Sequence, residues 1–316
     1  VSHSHLSAVV AMAASLFLAG CSSGPLAASQ TPVAAANRAH ISSLPQPATA
    51  STALLYVATS KGTVLVYDQS NQKKGPIQTL DSSNGLRLPF GLFVDSAQNL
   101  YVADEENEAI YLFPAGATQP SVTYSDPGEY PDSVARCPDG KMYAGNYAGT
   151  TDRYGSVSIY SANAKKPSHV LTSSNFFSVS GVACDSNNNL YVAYYYTDAG
   201  PGYVSEYGPG GTGKGTLLPF SVQAPGSLSI DAAGDFVLTD QFSGIDYFHP
   251  TSSQPFKTIV DNDLPLGFGL NANDSTMWIG DSNTDTVRKV NAKTGKEISS
   301  FTTAGAPVDI AVFPPD

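Results

Sequence analysis

Three features of the chain predict an all-β fold, a six-bladed β-propeller of four-stranded antiparallel blades whose first blade is closed by the C-terminal strand. First, one short motif recurs six times, as Leu55-Tyr56-Val57-Ala58, Leu100-Tyr101-Val102-Ala103-Asp104, Met142-Tyr143-Ala144-Gly145-Asn146, Leu190-Tyr191-Val192-Ala193, Phe236-Val237-Leu238-Thr239-Asp240 and Met277-Trp278-Ile279-Gly280-Asp281. Its second position falls at 56, 101, 143, 191, 237 and 278, in steps of 45, 42, 48, 46 and 41 residues, the spacing of units of about four short strands each. Second, no segment beyond Thr52 keeps a helical apolar period over ten or more positions, whereas short runs bounded by Gly, Pro, Asn and Asp recur throughout. Third, five copies follow an apolar segment such as Pro89–Asp95 or Pro225–Asp231, the copy at Tyr56 follows none, and the chain finishes on an orphan segment, Pro307–Phe313. Pairing that segment with the strands around Tyr56 closes a ring and removes two exposed sheet edges.

In chain order, residues 1–20 read as a signal peptide. Leu6 to Leu18 is an uncharged apolar run, too short to span a bilayer, and it ends in Leu18-Ala19-Gly20-Cys21. This stretch resembles the lipobox of bacterial lipoprotein signal peptides. It departs from the usual pattern in having only His3 and His5, and no Lys or Arg, before the apolar run. The resemblance implies acylation of Cys21, a mature chain that begins there, and membrane attachment through the N-terminal lipid. With Ser22 after the Cys, it points to a cell-envelope location at the outer membrane or cell surface. Residues 21–52, rich in Ala, Ser, Pro and Thr with Arg38 the one formal charge, read as a disordered tether.

Residues 53–316 form the propeller unit, and they hold all 27 acidic side chains but only 15 of the 16 basic ones, a balance of 15 − 27 = −12. Such a surface lacks the basic footprint that nucleic acid requires. Within the second repeat we assign strand a to Gly91–Asp95, b to Leu100–Ala103, c to Ala109–Phe113 and d to Ser121–Tyr124. Leu, Tyr, Val and Ala run consecutively in strand b because each blade is covered on both faces. The Pro-x-Gly, apolar strand, Asp, turn, Asn-Leu-Tyr-Val-Ala-Asp order from Pro89 to Asp104 resembles the NHL-repeat propellers, and the likeness runs from Leu54 to Phe313. That family contains enzymes, binding modules and scaffolds, so the likeness implies a fold more than a chemistry.

Aligned on the repeat, two rows of strand a face the axis: Phe90, Asp132, Ser180, Gly226, Leu266 and Val308, then Gly91, Ser133, Gly181, Ser227, Gly267 and Asp309. Only Asp132 and Asp309 are carboxylates. Similarity to the senescence-marker and gluconolactonase propellers would imply an axial calcium, but two carboxylates fall short of the six to eight oxygens that calcium takes, and neither the Glu-Gly-Pro nor the Pro-Asn-Gly element of that family occurs. Calcium is therefore the one cofactor to test, and none is expected. The propeller's two histidines, His169 and His249, fall in outer-strand or c–d regions, so the His-dependent chemistry of the similar streptogramin lyases has no candidate base. The Gly208–Gly215 stretch reads as loop rather than a phosphate cradle, since no helix follows it.

Asp104, Asn146, Asp240 and Asp281 after strand b, with Asp95, Asp185 and Asp231 after strand a, read as turn-building residues that accept backbone N–H groups. Cys137 and Cys184 sit near the ends of adjacent a strands, one residue apart in register, and are either bridged or buried as two thiols. The b–c and d–a connections are expected to be the longer ones and to mark the functional face. There the aromatic residues crowd: Tyr130, Tyr147, Tyr154, the run Tyr194-Tyr195-Tyr196, Phe176 and Phe177, with Tyr147 and Tyr195 expected to reach solvent. Phe90, Tyr130, Asp132, Tyr147, Tyr195 and Asp309 are thus the candidate ligand-binding residues, suited to a protein, peptide or glycan. These residues favour a binding module over the alternative, a lactonase-like metal-dependent hydrolase or a lyase.

Overall fold

A computed structural model describes residues 53–314 other than 152, 153, 199 and 272. The stretches read as signal peptide and tether, Cys21 included, lie outside the described residues. The 24 strands of the propeller unit, β1 to β24 in chain order, make six four-stranded antiparallel sheets. The innermost strands are β4 (Pro89–Val94), β8 (Glu129–Arg136), β12 (Ser178–Cys184), β16 (Pro225–Ile230), β20 (Pro265–Leu270) and β24 (Pro307–Phe313). Next outward lie the motif strands β5 (Leu100–Asp104), β9 (Met142–Gly149), β13 (Leu190–Tyr195), β17 (Phe236–Asp240), β21 (Thr276–Asp281) and β1 (Leu54–Thr59). In blade 1 the sheet order is β24-β1-β2-β3, where β2 is Thr63–Asp68 and β3 is Gln78–Leu80. Tyr56 there stands opposite Ala311 and Leu54 opposite Phe313. The orphan C-terminal segment thus completes the first blade.

Local chemistry accounts for the hairpins between the a and b strands. The Asp95 carboxylate accepts from the N–H groups of Ala97 at 3.0 Å and Asn99 at 2.8 Å, and Asp185 and Asp231 hold their own turns in the same way. This arrangement puts the fourth residue of each turn in left-handed space, with φ of 64° at Gln98, 67° at Asn188 and 86° at Gly234.

Packing explains the uninterrupted apolar runs of the motif strands. An apolar cluster fills the space between each neighbouring pair of blades, so both faces of every sheet are covered. Between blades 2 and 3, Tyr101 packs beside Val134 and Ala144, a large side chain of one sheet against smaller ones of the next. Nearer the axis the spacing is tighter. A Cβ on Gly91 would come within 2.6 Å of the Asp132 carbonyl oxygen, and one on Gly226 within 2.5 Å of the Leu266 carbonyl oxygen. The innermost strands surround an axial channel of about 280 Å³.

Two expectations are corrected. In blades 1, 2, 3 and 5 connections c–d, spanning 69–77, 114–121, 161–168 and 249–256, are longer than connections b–c, whereas blade 4 keeps the expected order, with 196–201 between b and c against 209–211 between c and d; β9 runs on to Gly149 and β13 to Tyr195 through residues read as loop. Gly208–Gly215 is not a free loop, for β15 (Thr212–Val222) starts inside it and pairs with β14 (Gly202–Gly208) after a short turn. Of the two states left open for the cysteines, the structure has the bridged one. Cys137 lies just past the last ladder pair of β8, where its side chain turns into the cluster between blades 3 and 4, and its sulfur is bonded to that of Cys184 with the Cα atoms 5.5 Å apart.

Candidate functional site

Every innermost strand has its register break at the same place. The ladder slips between Pro89 and Leu92, Pro131 and Ser133, Val179 and Gly181, Pro225 and Leu228, Pro265 and Gly267, and opposite the Ala58/Thr59 step in blade 1. These positions coincide with the row of Phe90, Asp132, Ser180, Gly226, Leu266 and Val308. A bulge re-aims the side chain it carries, and in blade 3 that side chain is the Asp132 carboxyl.

The b strands supply the second half of the site. One residue past the motif stand Ser60, Glu105, Tyr147, Tyr195, Gln241 and Ser282, one per blade. Glu105, 8% exposed, stands against Asp132, 9% exposed, and each carboxyl acts on the other. Burial pushes both well above the ordinary carboxylate range; the charges of Glu105 and Asp309 raise Asp132 further, while Glu105 is lowered by its contact with Asp132 and raised by Asp104 and Glu106. Tyr147 and Tyr195 border the pair, and burial, then the nearby acids, raises both phenols. The Tyr195 oxygen accepts from Gln241 Nε2 at 3.0 Å.

Asp309 is held differently. Its carboxylate accepts from Leu92 N–H at 2.8 Å and from Ser227 Oγ at 2.9 Å, tying blade 1 to blades 2 and 5 across the axis. Burial nonetheless raises it to about 6.

Of the six candidate residues, the structure brings Asp132, Tyr147 and Tyr195 together, with Asp309 acting on Asp132 through its charge. Phe90 packs against the cluster between blades 1 and 2, and Tyr130 is half-buried on β8. Tyr147 and Tyr195 are only partly accessible. The open tyrosines are Tyr154 and Tyr196, while Tyr194 and Phe176 are core residues with ring centres 4.9 Å apart. Tyr194 faces the core cluster between blades 3 and 4, β13 ends at Tyr195, and Tyr196 already stands in the b–c connection. Glu105 and Gln241 were not foreseen because only aromatic residues were singled out on the b strands, and carboxylates only on the a strands. The column one residue past the motif would have found them.

The turn-building acids divide. Asp104 accepts from Arg87, Leu88 and Asn107 N–H groups, and Asp240 from those of Gln223, Ala224 and Phe242. In blade 3, Asn146 instead donates to Ser156 and Ser158. In blade 6, Arg288 bridges Asp281 and Asp261. His169 is exposed on β11 (His169–Thr172), and His249 stands in the c–d connection against Asp235 at 2.7 Å.

Among the described residues only Asp261, Asp263 and Asp281 bring three carboxylate oxygens within 4.8 Å of one another, and the Arg288 guanidinium already neutralises that group. At the axis, the Asp309 carboxylate accepts from Leu92 N–H and Ser227 Oγ.

No family model matches the chain. Among solved structures it is similar to a chain in the crystal structure of a nidogen/laminin complex, at 17% identity and a TM-score of 0.65, over 83% of this chain and 98% of that one. It is also similar to a protein of unknown function from Bacteroides caccae, at 13% identity and a TM-score of 0.62, over 83% of this chain and 99% of that one. Sheet order and these likenesses together define a six-bladed β-propeller.

Proposed function

We propose that this chain is an exported, NHL-like propeller, anchored to the cell envelope by lipid on Cys21, that binds a protein partner over the axial end formed by its b–c and d–a connections. The observation that carries the proposal is the convergence of Glu105, Asp132, Tyr147 and Tyr195, from three blades, at one end of the axis. Rings that bury apolar area while offering a hydroxyl, beside charge, suit protein recognition. The nidogen/laminin complex, in which a similar propeller is found in a protein assembly, supports a protein partner over a glycan.

The test is capture of envelope proteins by the full chain, compared with a Tyr147→Ala, Tyr195→Ala double variant. Loss of specific partners at unchanged thermal stability supports the proposal; an unaltered set of partners overturns it. For the anchor, Cys21→Ser is expected to abolish incorporation of labelled fatty acid and to release the chain from the membrane fraction.

The two buried carboxyls, Glu105 and Asp132, also favour a second reading, an acid–base hydrolase. Turnover of a lactone panel that is lost on Glu105→Gln would establish it.

A further inference from the structure

The repeat supplies its own comparison for a buried polar group between blades 2 and 3. In blade 6 three positions act together. Asp281 ends the motif strand, Asp261 directly follows the outer strand β19 (Lys257–Val260) of blade 5, and Arg288 on the third strand, β22 (Thr286–Asn291), bridges the two carboxylates. Blade 3 has the same three positions. Asn146 stands at the equivalent point of the motif strand, Asp126 directly follows β7 (Val122–Ser125) of blade 2, and Ser158 stands on β10 (Ser156–Tyr160) opposite Ala144, as Arg288 stands opposite Ile279. The backbone agrees. Asp126 N–H donates to the Glu108 carbonyl and Asp261 N–H to the Ser243 carbonyl, each on the residue just before the third strand of its blade.

Blade 3 keeps the acid but not the cation, for a serine hydroxyl stands where blade 6 has a guanidinium. Asp126 is 1% exposed and Asn146 0%. Ser158 Oγ donates to Asp126 Oδ1 at 2.6 Å, and Asn146 Nδ2 donates to Ser158 Oγ at 3.1 Å and to Ser156 Oγ at 2.9 Å. Asn146 and Tyr160 also lie against the Asp126 carboxyl. Two oxygens of this one group, Asp126 Oδ2 and Asn146 Oδ1, are buried without a hydrogen-bond partner. Buried acceptors left without donors are costly, and a buried charge without a counter-charge more so. The neighbouring charges do not offset it: burial and then Glu108 raise the Asp126 carboxyl, and Glu129 joins Asp126 in raising the Tyr160 phenol.

A water molecule satisfies such oxygens but leaves the charge. A metal cation satisfies both. The group offers a carboxylate, an amide and two hydroxyls, with no imidazole or thiolate, and oxygen donors select a hard ion. One carboxylate among four donors matches a single positive charge and falls short of the six to eight oxygens that calcium takes. We infer that the side chains of Asp126, Asn146, Ser156 and Ser158 form a site for a monovalent metal cation, sodium or potassium, which ties the connection leaving blade 2 to blade 3 as Arg288 ties blade 5 to blade 6.

Thermal melting of the full chain in chloride salts tests the inference, with sodium, potassium or calcium replacing tetramethylammonium at constant ionic strength so that screening is equal in every arm. Raising sodium or potassium from about 1 to about 100 mM is expected to raise the melting temperature by about 2 °C or more, and the stronger of the two identifies the ion. Asp126→Asn, nearly isosteric, should abolish the rise while melting stays cooperative. Asn146→Asp, which restores the second carboxylate of blade 6, should enlarge the rise and extend it to calcium, and it decides the matter if Asp126→Asn does not fold. Melting that is the same in every salt, as two oxygens bridged only by water would give, would overturn the inference. So would a rise that persists in Asp126→Asn, a response of the unaltered chain to calcium alone, or an Asn146→Asp variant that responds no more than the unaltered chain.

Discussion

At the scale of single residues, the axis is a place where backbones touch. Gly91 has ordinary dihedrals, so its need for glycine is purely one of space: an added Cβ would meet the Asp132 carbonyl oxygen and the Ser133 Cα, both backbone atoms. Gly91→Ala is expected to lose about 1–3 kcal/mol by overpacking, measured as a lower urea midpoint, and to move Asp132 enough to weaken ligand binding. The fully buried Trp278 is a contrasting case, a packing residue between blades 6 and 1 beside Phe301, and Trp278→Ala should lose about 3–5 kcal/mol with no specific effect on the axial site. Sequence reasoning found Asp132 and Asp309 because the repeat fixes which strand positions face the axis. It missed Glu105, which is an unremarkable acid in an acidic loop until the bulge at Asp132 turns a carboxyl toward it.

At the scale of elements, two devices hold the ring. One is the pairing of β24 with β1, which gives blade 1 its innermost strand and brings Asp309 to the site. A chain ending at Ala306 would expose the edge of β1, so it is expected to lose cooperative thermal unfolding and to aggregate in gel filtration. The other is the bond from Cys137 to Cys184 across blades 3 and 4, between residues 47 apart in sequence. Its reduction should lower stability by about 2–4 kcal/mol, read as a lower denaturation midpoint in reductant, with the Cys137→Ser, Cys184→Ser double variant matching the reduced protein. The six strand-b motifs and the closing strand were legible because consecutive apolar residues and turn acids leave a local mark. Loop length misled, since a strand may extend through polar and aromatic residues once a neighbouring sheet covers them, as β9 and β13 do.

At the scale of the whole molecule, acidity and burial act together. Asp309 and Asp126 are each raised to about 6, from an ordinary value of 3.8, chiefly by burial, and the Glu105–Asp132 pair is raised as well. An acid whose folded value lies above its unfolded one binds its proton more tightly when folded. Its contribution is therefore full below about pH 4 and is lost as pH rises through 4 to 6. The melting temperature is expected to fall from pH 5 to pH 8, and Asp309→Asn and Asp126→Asn should flatten that slope. Growing repulsion among the excess surface carboxylates works in the same direction. Added salt should relieve that part, leaving the part due to buried acids.

What the sequence determined by itself was the number of blades, their strand order and the closure of the first by the last strand, because each follows from periodic, local patterns that a sheet covered on both faces imposes. What only the tertiary structure decided was which side chains meet at the axis. Glu105, Asp132, Tyr147, Tyr195 and Gln241 come from four blades, and their meeting depends on a bulge, on close approach of glycine-bearing strands and on the angle between neighbouring sheets. Those are properties of packed surfaces, and no spacing along the chain records them.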